Sequence, residues 1–316
     1  MKKKKIFVTG ALGFIGVHWC KKLLENGHEV YGLDIKSVNL ELKKYKKFHY
    51  FKYSVFNTKI VKKLIIKTDV TCHFAGIASP KEYLINTSKV IDLTVLPSLK
   101  IINYCKKFNK KLLFTSTSEI YGKSEKIPFK EEDDRMLGST STKRWCYSTA
   151  KALVEHAIFA KLKETNSSFV IFRLFNVYGP LLKGRVVDNF IEKALTNKKI
   201  LIFGKGNQTR CFLYVDDCMD IFYQVLQKNV KGKILNIGNN KETSIETLAK
   251  KIVKLTKSKS KILVQSVEKN SKMKKEGYED IRRRVPSLRL IKKTVKYKPK
   301  ISIEEGLKKF IKSVQK

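Results

Sequence analysis

Short apolar, β-branched runs alternate along the chain with longer stretches whose apolar positions recur at helical spacing, which predicts strands separated by helices. The first run covers residues 5–9 (KIFVT); Phe14, Ile15, Trp19, Leu23 and Leu24 then keep a helical period until Asn26-Gly27 stops them. Further strands are expected at 29–33, 48–53, 69–76 (DVTCHFAG), 110–118 (KKLLFTSTS) and 169–175 (FVIFRLF), with helices at 58–67, 88–108 and 145–163. That order predicts an α/β fold, a Rossmann-like doubly wound parallel sheet with right-handed crossovers. After Gly179-Pro180 the pattern changes to a short helix from Val186, a strand at 200–203, the loop GKGNQTR (204–210) and a helix from Val215. A strand KILNIG (233–238), a helix SIETLAKKIVKL (244–255) and two helices starting near Ser287 and Ser302 follow.

Gly10, Gly13 and Gly16 stand between the first strand and the first helix. Gly10 allows the tight turn, Gly13 lets backbone approach a pyrophosphate, and Gly16 lets helix and strand pack closely, with the helix N-terminus favouring negative charge. Asp34 ends the second strand, 34 − 16 = 18 positions after Gly16, where a carboxylate accepts hydrogen bonds from ribose hydroxyls and repels a 2′-phosphate. NAD is therefore favoured over NADP, and Lys36 weakens that preference slightly. The expected division is an NAD-binding domain over 1–175 and a smaller, mostly C-terminal α/β substrate-binding region over 176–316. Parts of about 212–238 are expected to return to the first domain. The four lysines at 2–5, the apolar stretch 6–17 and Cys20 also fit a secretory signal, but the spaced glycines and the continuation into helix and strand favour the dinucleotide reading.

In RWCYSTAKALVEH (144–156), Tyr147 and Lys151 lie four apart on a stretch without Gly or Pro, so they share one helix face. A phenol beside an ammonium makes a tyrosine a base; holding it half-ionised at neutral pH requires about 4 kcal/mol of stabilisation. In a chain this rich in Lys the pair alone is a weak signal, and the glycine turn is what gives it meaning.

Net charge is +39 over 316 residues, which raises nucleic-acid binding. Only 9 of the 67 basic residues are Arg, leaving 67 − 9 = 58 Lys spread along the whole chain. Nucleic-acid interfaces concentrate charge and favour Arg, so no nucleic-acid partner is expected; the field serves capture of an anionic substrate. The six cysteines show no C-x-x-C spacing and the five histidines are scattered, so neither disulfides nor a metal site are expected. No apolar stretch approaches the ~20 residues a bilayer requires, and a soluble cytoplasmic protein without a membrane partner is expected.

Several motifs now combine. The glycine turn, Asp34, TSTSEIYG (115–122), Tyr147 with Lys151, RLFNVYGP (173–180) and GKGNQTRCFLYVDD (204–217) resemble an extended short-chain dehydrogenase/reductase of the NAD-dependent epimerase/dehydratase family, which acts on nucleotide sugars. Within it, IASPKEY (77–83), TSTSEIYG, GRVVDNFI (184–191) and YEDIRRRVPSLR (278–289) are most similar to UDP-glucuronate decarboxylases, both UDP-xylose synthases and the aminoarabinose-pathway decarboxylase.

The resemblance implies that Tyr147 takes the proton of a sugar 4-hydroxyl while C4 gives hydride to NAD, and that Lys151 lowers the phenol pKa and reaches the nicotinamide ribose. Thr117 shares the same sugar oxygen; Ser118 and Glu119 stand beside the C6 carboxylate; Arg284 stabilises the enolate and helps return a proton to C5. Cofactor contacts are implied for Gly10, Gly13, Phe14, Ile15, Gly16, Asp34, Ala75, Tyr147 and Lys151. Substrate contacts are implied for Asn176, Arg185 and, at the diphosphate, Arg210. Arg173 is divided between a site role and a structural ion pair, and EEDDR (131–135) reads as a solvated loop. Ser54 and Thr94 depart from the family's usual Asp and Asn, which implies weaker adenine contacts. A homodimer built on the tyrosine helix is implied, with Leu153, Ala157 and Ala160 on the available face. Alternatives are a nucleotide-sugar 4-epimerase or 4,6-dehydratase using the same Tyr147, Lys151 and Thr117. Whether the product is a UDP-pentose or a UDP-4-keto-pentose stays open.

Overall fold

The structure, a computed structural model, describes residues 2–38, 40–265 and 281–315; of the motif at 278–289, positions 278–280 lie outside the described residues. The chain begins β1 (Lys5–Thr9), α1 (Phe14–Glu25), β2 (Glu29–Asp34), α2 (Leu40–Lys43), β3 (Phe48–Lys52), α3 (Thr58–Lys67), β4 (Val70–His73), α4 (Pro80–Ile85), α5 (Thr87–Lys107) and β5 (Lys111–Thr117). A 3-10 turn over Ser118–Tyr121 and a second over Lys143–Trp145 precede α6 (Cys146–Leu162), β6 (Phe169–Leu174), β7 (Val177–Tyr178), α7 (Val186–Leu195), β8 (Ile200–Phe203), β9 (Thr209–Cys211) and β10 (Leu213–Tyr214). The remainder comprises α8 (Val215–Gln227), β11 (Lys233–Ile237), β12 (Glu242–Ser244), α9 (Ile245–Thr256), β13 (Ile262–Gln265), α10 (Arg289–Thr294) and α11 (Ile303–Val314).

Seven strands form one parallel sheet in the order β11-β6-β5-β4-β1-β2-β3. The order reverses between β1 and β4, and the crevice at that reversal, beyond the carboxyl ends of the strands, is where such sheets bind ligands. Helices cover both faces, so the central strands are shielded on both sides, and β4 and β5 are buried at every position. Successive residues point to opposite faces: Ile6 and Val8 join α1 and α8 in one apolar cluster, while Phe7 joins α3, α5 and α6 in the other. The first cluster continues without a break into Val187, Ile200, Leu248 and Phe310, so the carboxyl-terminal elements share its core. β11 extends the central sheet beside β6, and Asp217 on α8 accepts from the backbone N–H groups of Lys300 and Ile301, tying the last segment down.

Differences from the sequence reading are local. The loop expected at 204–210 ends in β9, which pairs antiparallel with β12, because a three-residue strand of Thr, Arg and Cys carries no readable period. The short α4, which begins within IASPKEY and runs past it, is equally silent; Pro80 sits in its first turn, where a missing N–H costs nothing.

Gly10 adopts φ +67° and Gly16 lies against it: a side chain at 16 would begin 2.0 Å from the Gly10 carbonyl oxygen. Gly16→Ala forces α1 off β1, and overpacking of this kind costs about 1–3 kcal/mol. The expected result is a lower denaturation midpoint together with weakened NAD binding, read by urea titration and cofactor fluorescence.

Candidate active site

The crevice is built first by a buried polar chain. Thr9 at the end of β1 accepts from the backbone N–H groups of Phe74 (3.3 Å) and Ala75 (3.2 Å). Its hydroxyl lies 2.7 Å from His73 Nδ1, and His73 Nε2 lies 2.8 Å from Ser98 Oγ, which itself donates to the Thr94 carbonyl. Only one arrangement satisfies every group: His73 is neutral, accepts at Nδ1 and donates from Nε2. Burial agrees, pushing its pKa down to about 3. Ala75 is thereby fixed against the glycine turn, 2.7 Å from where a Gly10 side chain would start.

Around that point gather the residues expected to hold NAD. Gly13 caps α1 with no side chain on the first-turn N–H groups, and Phe14 and Ile15 follow it. Asp34 accepts from the Leu12 N–H (3.0 Å) and the Lys36 N–H (3.2 Å), so its carboxylate is held beside the turn. A cradle that any Cβ would fill, an open helix N-terminus and an anchored carboxylate fit the pyrophosphate and ribose of NAD. Ser54 is exposed and accepts from the Phe56 N–H at 3.3 Å, whereas Thr94 is buried.

Tyr147 and Lys151 share one face of α6, as expected, but their electrostatics differ from the expectation. Lys151 donates to the Thr115 carbonyl at 2.8 Å and sits over the Phe114 ring. Its ammonium stands 5.9 Å from the centre of the Tyr147 ring. Burial lowers the Lys151 pKa to about 7, while Glu155 one turn on raises it. Burial also pushes the Tyr147 phenol well up, and the cation that opposes this is Arg185 rather than Lys151. Burial disfavours the charged form of both groups, lowering the ammonium and raising the phenol. Tyr83 of α4 stacks on Tyr147 at 4.5 Å and 12°, clamping its ring. Lys151 Nζ also lies 3.8 Å from where a side chain on Gly76 would start, at the mouth of β4 beside Ala75.

The other side of the site hangs on the turn after β5. Thr117 Oγ1 accepts from the Glu119 N–H at 3.2 Å, which leaves its own hydrogen to donate. Ser118 is buried with its hydroxyl 3.5 Å from Arg284. Glu119 is only 5% exposed, with Arg284 at 3.6 Å from one oxygen and Arg144 at 3.9 Å from the other. Burial alone would raise its pKa; Arg144, Arg284, Arg185 and Arg210 together bring it below the ordinary carboxylate value, so it stays charged. Glu119 is thus a buried anion flanked by guanidinium groups. Glu119 Oε2 and Arg144 Nε have no hydrogen-bond partner among the described residues.

The expected substrate residues are placed less uniformly. Arg185 caps α7 and its guanidinium donates to the Ala78 carbonyl, joining the carboxyl-terminal region to IASPKEY. Arg210 donates to the Ile281 carbonyl at 2.8 Å, and its charge is felt at Glu119. Asn176 takes a left-handed conformation (φ 39°) with its amide 3.5 Å from the Cys211 carbonyl. Arg173 resolves to an ion pair with Glu155. Glu131, expected in a solvated loop, instead accepts from the Asn236 N–H at 2.8 Å and gives its carbonyl to Arg173. Arg144 and Tyr83 were passed over in the sequence. Arg144 carried a signal, as one of nine arginines standing inside the tyrosine motif. Among the described residues no group of three His, Cys, Asp or Glu could hold a metal, and no helix is long and apolar enough to cross a membrane.

The NAD dependent epimerase/dehydratase family model matches residues 6–238. The chain belongs to that family. It is 34% identical to the UDP-N-acetyl-alpha-D-glucosaminuronate decarboxylase of Bacillus cytotoxicus, over 98% of this chain and 97% of that protein. It is 32% identical to UDP-glucuronic acid decarboxylase 1 of Xenopus tropicalis, over 98% of this chain and 72% of that one. Its structure resembles the UDP-glucuronic acid 4-epimerase of Bacillus cereus solved with UDP-glucuronic acid and NAD, with a TM-score of 0.87, 25% identity, and coverage of 98% of this chain and 99% of the other. Membership of an NAD-dependent family agrees with the cradle at Gly10 and Asp34.

A lysine whose folded pKa is about 7 binds its proton more weakly than in the unfolded chain, so the burial penalty is present below about pH 7 and fades toward 10.5. Lys151→Met should therefore stabilise the protein more at pH 7 than at pH 10. Melting curves of both proteins across that range check the sign.

Proposed function

We propose that the protein oxidises C4 of UDP-glucuronate and removes its C6 carboxylate as carbon dioxide. The observation that carries this reading is Glu119, a charged carboxylate buried between Arg144 and Arg284, next to Ser118 and near enough to Tyr147 to oppose its ionisation. Bound in its oxidised form, NAD would supply the acceptor for the C4 hydride and a positive nicotinamide ring that favours a nearby phenolate. Tyr147 removes the 4-hydroxyl proton, and Thr117 donates its remaining hydrogen to the same oxygen. Lys151, near neutral in its poise, relays a proton between the phenol and the ribose side of the cleft.

The resulting ketone is β to the C6 carboxylate. The C5–C6 bond pair moves toward the ketone, carbon dioxide leaves, and the enolate oxygen is held by Tyr147 and Thr117. Arg284 and Arg144 admit a carboxylate that Glu119 alone would repel, while Glu119 favours its departure as a neutral molecule. Arg284 then lies where a proton returns to C5. Arg185 and Arg210 bind the sugar or its diphosphate, with Asn176 beside them, in the region after residue 176.

The half-exposed Leu153 on α6, with Ala157 and the exposed Ala160, continues into exposed Ile91 and Leu96 of α5, an apolar face suited to a homodimer. We infer a reducing, cytoplasmic setting from six free cysteines, five of them buried. Leu153→Lys should convert dimer to monomer in sedimentation experiments.

Purified protein given UDP-glucuronate and NAD should release carbon dioxide. Release without net NADH indicates a UDP-pentose product; release with NADH indicates a UDP-4-keto-pentose. A changed sugar without carbon dioxide would favour a 4-epimerase and remove the decarboxylase reading. The 2-acetamido analogue, run alongside, tests the substrate named for the Bacillus cytotoxicus relative. Glu119→Gln and Arg284→Ala should each lower carbon dioxide release by about a hundredfold or more while NAD remains bound.

A further inference from the structure

Arg173 of β6 uses both edges of its guanidinium. One edge meets Glu155 as a two-point fork, Nε to Oε1 at 3.1 Å and Nη2 to Oε2 at 2.7 Å. From the other, Nη1 donates to the Tyr121 hydroxyl and to the Glu131 carbonyl, each at 2.9 Å. Tyr121 passes its own hydrogen to Asn236 Oδ1 (2.7 Å), and Asn236 donates to the Phe129 carbonyl (2.9 Å). Arg173, Glu155, Tyr121 and Asn236 are all buried.

The two ends of this chain are not arbitrary. Glu155 lies on α6 one turn beyond Lys151 and two beyond Tyr147. Tyr121 closes the 3-10 turn that begins with Ser118 and Glu119. A single planar group thus bolts the helix bearing the hydride chemistry to the turn bearing the carboxylate chemistry. The sugar makes such a bolt necessary: its C4 and C6 belong to one small molecule, so the two sets of groups must stay in register to within about 1 Å, and misplacement on that scale costs on the order of a hundredfold. A buried ion pair contributes little net stability over apolar residues of the same size, so stability does not account for its presence here.

We propose that Arg173 and Glu155 are positioning residues that keep Tyr147 and Lys151 in register with Ser118 and Glu119, so that the ketone forms where its carboxylate can leave. This rests on the decarboxylase reading above. Removing the bolt shifts the turn relative to α6 and uncouples the two steps: oxidation at C4 continues on the helix, and loss of carbon dioxide falls behind.

The test is a single turnover of the full chain with UDP-glucuronate and NAD, following NADH absorbance and carbon dioxide together in wild type, Arg173→Lys and the paired Arg173→Met/Glu155→Leu variant. The paired change removes both charges of the fork at once, so neither of the two is left buried without the other. Lysine keeps the charge but, lacking the fork, cannot reach both edges. In each variant carbon dioxide release should fall at least about tenfold more than NADH formation. Equal losses in both steps, or wild-type rates in Arg173→Lys, overturn the proposal. Should the paired variant fail to melt cooperatively, Arg173→Lys decides alone. A wild-type protein that releases no carbon dioxide overturns the reading of the reaction instead, whatever the variants do.

Discussion

Charge buried away from water must be compensated where it stands, and the architecture around the site follows from how this chain meets that demand. Glu119 stays ionised at 5% exposure because Arg144 and Arg284 flank it. Glu155 is met at both its oxygens by Arg173. Lys151 has no such partner in contact, only a carbonyl and an aromatic ring, and its pKa falls to about 7 in consequence. The same burial therefore yields two outcomes: an anion, Glu119, held charged by guanidinium groups, and an ammonium left near the point of losing its proton. Proton transfer at neutral pH needs the second kind of group, and discharge of a carboxylate needs the first.

Rigidity comes from polar groups that have no chemistry of their own. His73 is neutral and satisfied at both nitrogens, and its role is to hold the end of β4 where Ala75 meets Gly10. Tyr83 holds the ring of Tyr147 by stacking, and the Asn236–Tyr121–Arg173 chain holds the turn carrying Glu119. Each support ties one element to another: His73 joins β4 to β1 and α5, Tyr83 joins α4 to α6, and Tyr121 joins its turn to β6 and β11. Loops and strand ends can then be placed to a fraction of an ångström although their own backbone bonds would leave them loose.

That division explains what the sequence could and could not reveal. The sheet, its helices and the glycine turn are written in local patterns, period and punctuation, and Tyr147 with Lys151 needs only the geometry of a helix. Glu119 needed the family likeness, because nothing local distinguishes a carboxylate ringed by arginines from one in solvent. Its ring is assembled from Arg144, Arg284, Arg185 and Arg210, which lie far apart along the chain. The direction of the Tyr147 shift is hidden from the sequence for the same reason. Four residues of spacing place Lys151 on the correct face, but burial, which is a tertiary property, raises the phenol and lowers the ammonium. Glu131 shows the converse: a run of acidic residues reads as solvated until a strand edge at Asn236 arrives to bind one of them.

The lysine-rich composition turns from a distraction into an indicator once burial is known. Of nine arginines, Arg144, Arg173, Arg210 and Arg284 are buried, whereas among the described lysines only Lys111 and Lys151 are. An ammonium is strongly hydrated and loses much on burial; a guanidinium is weakly hydrated and offers five donors in a plane, so it can enter the interior if carboxylates or carbonyls meet it. Lysine can therefore accumulate on the outside almost without limit, and it raises the field that draws an anionic sugar nucleotide toward the crevice. Arginine persists where the plane and the fork are required. In such a chain, a residue type that is rare overall and concentrated in the interior marks the positions where lysine would not serve, and here those positions converge on Glu119 and Glu155.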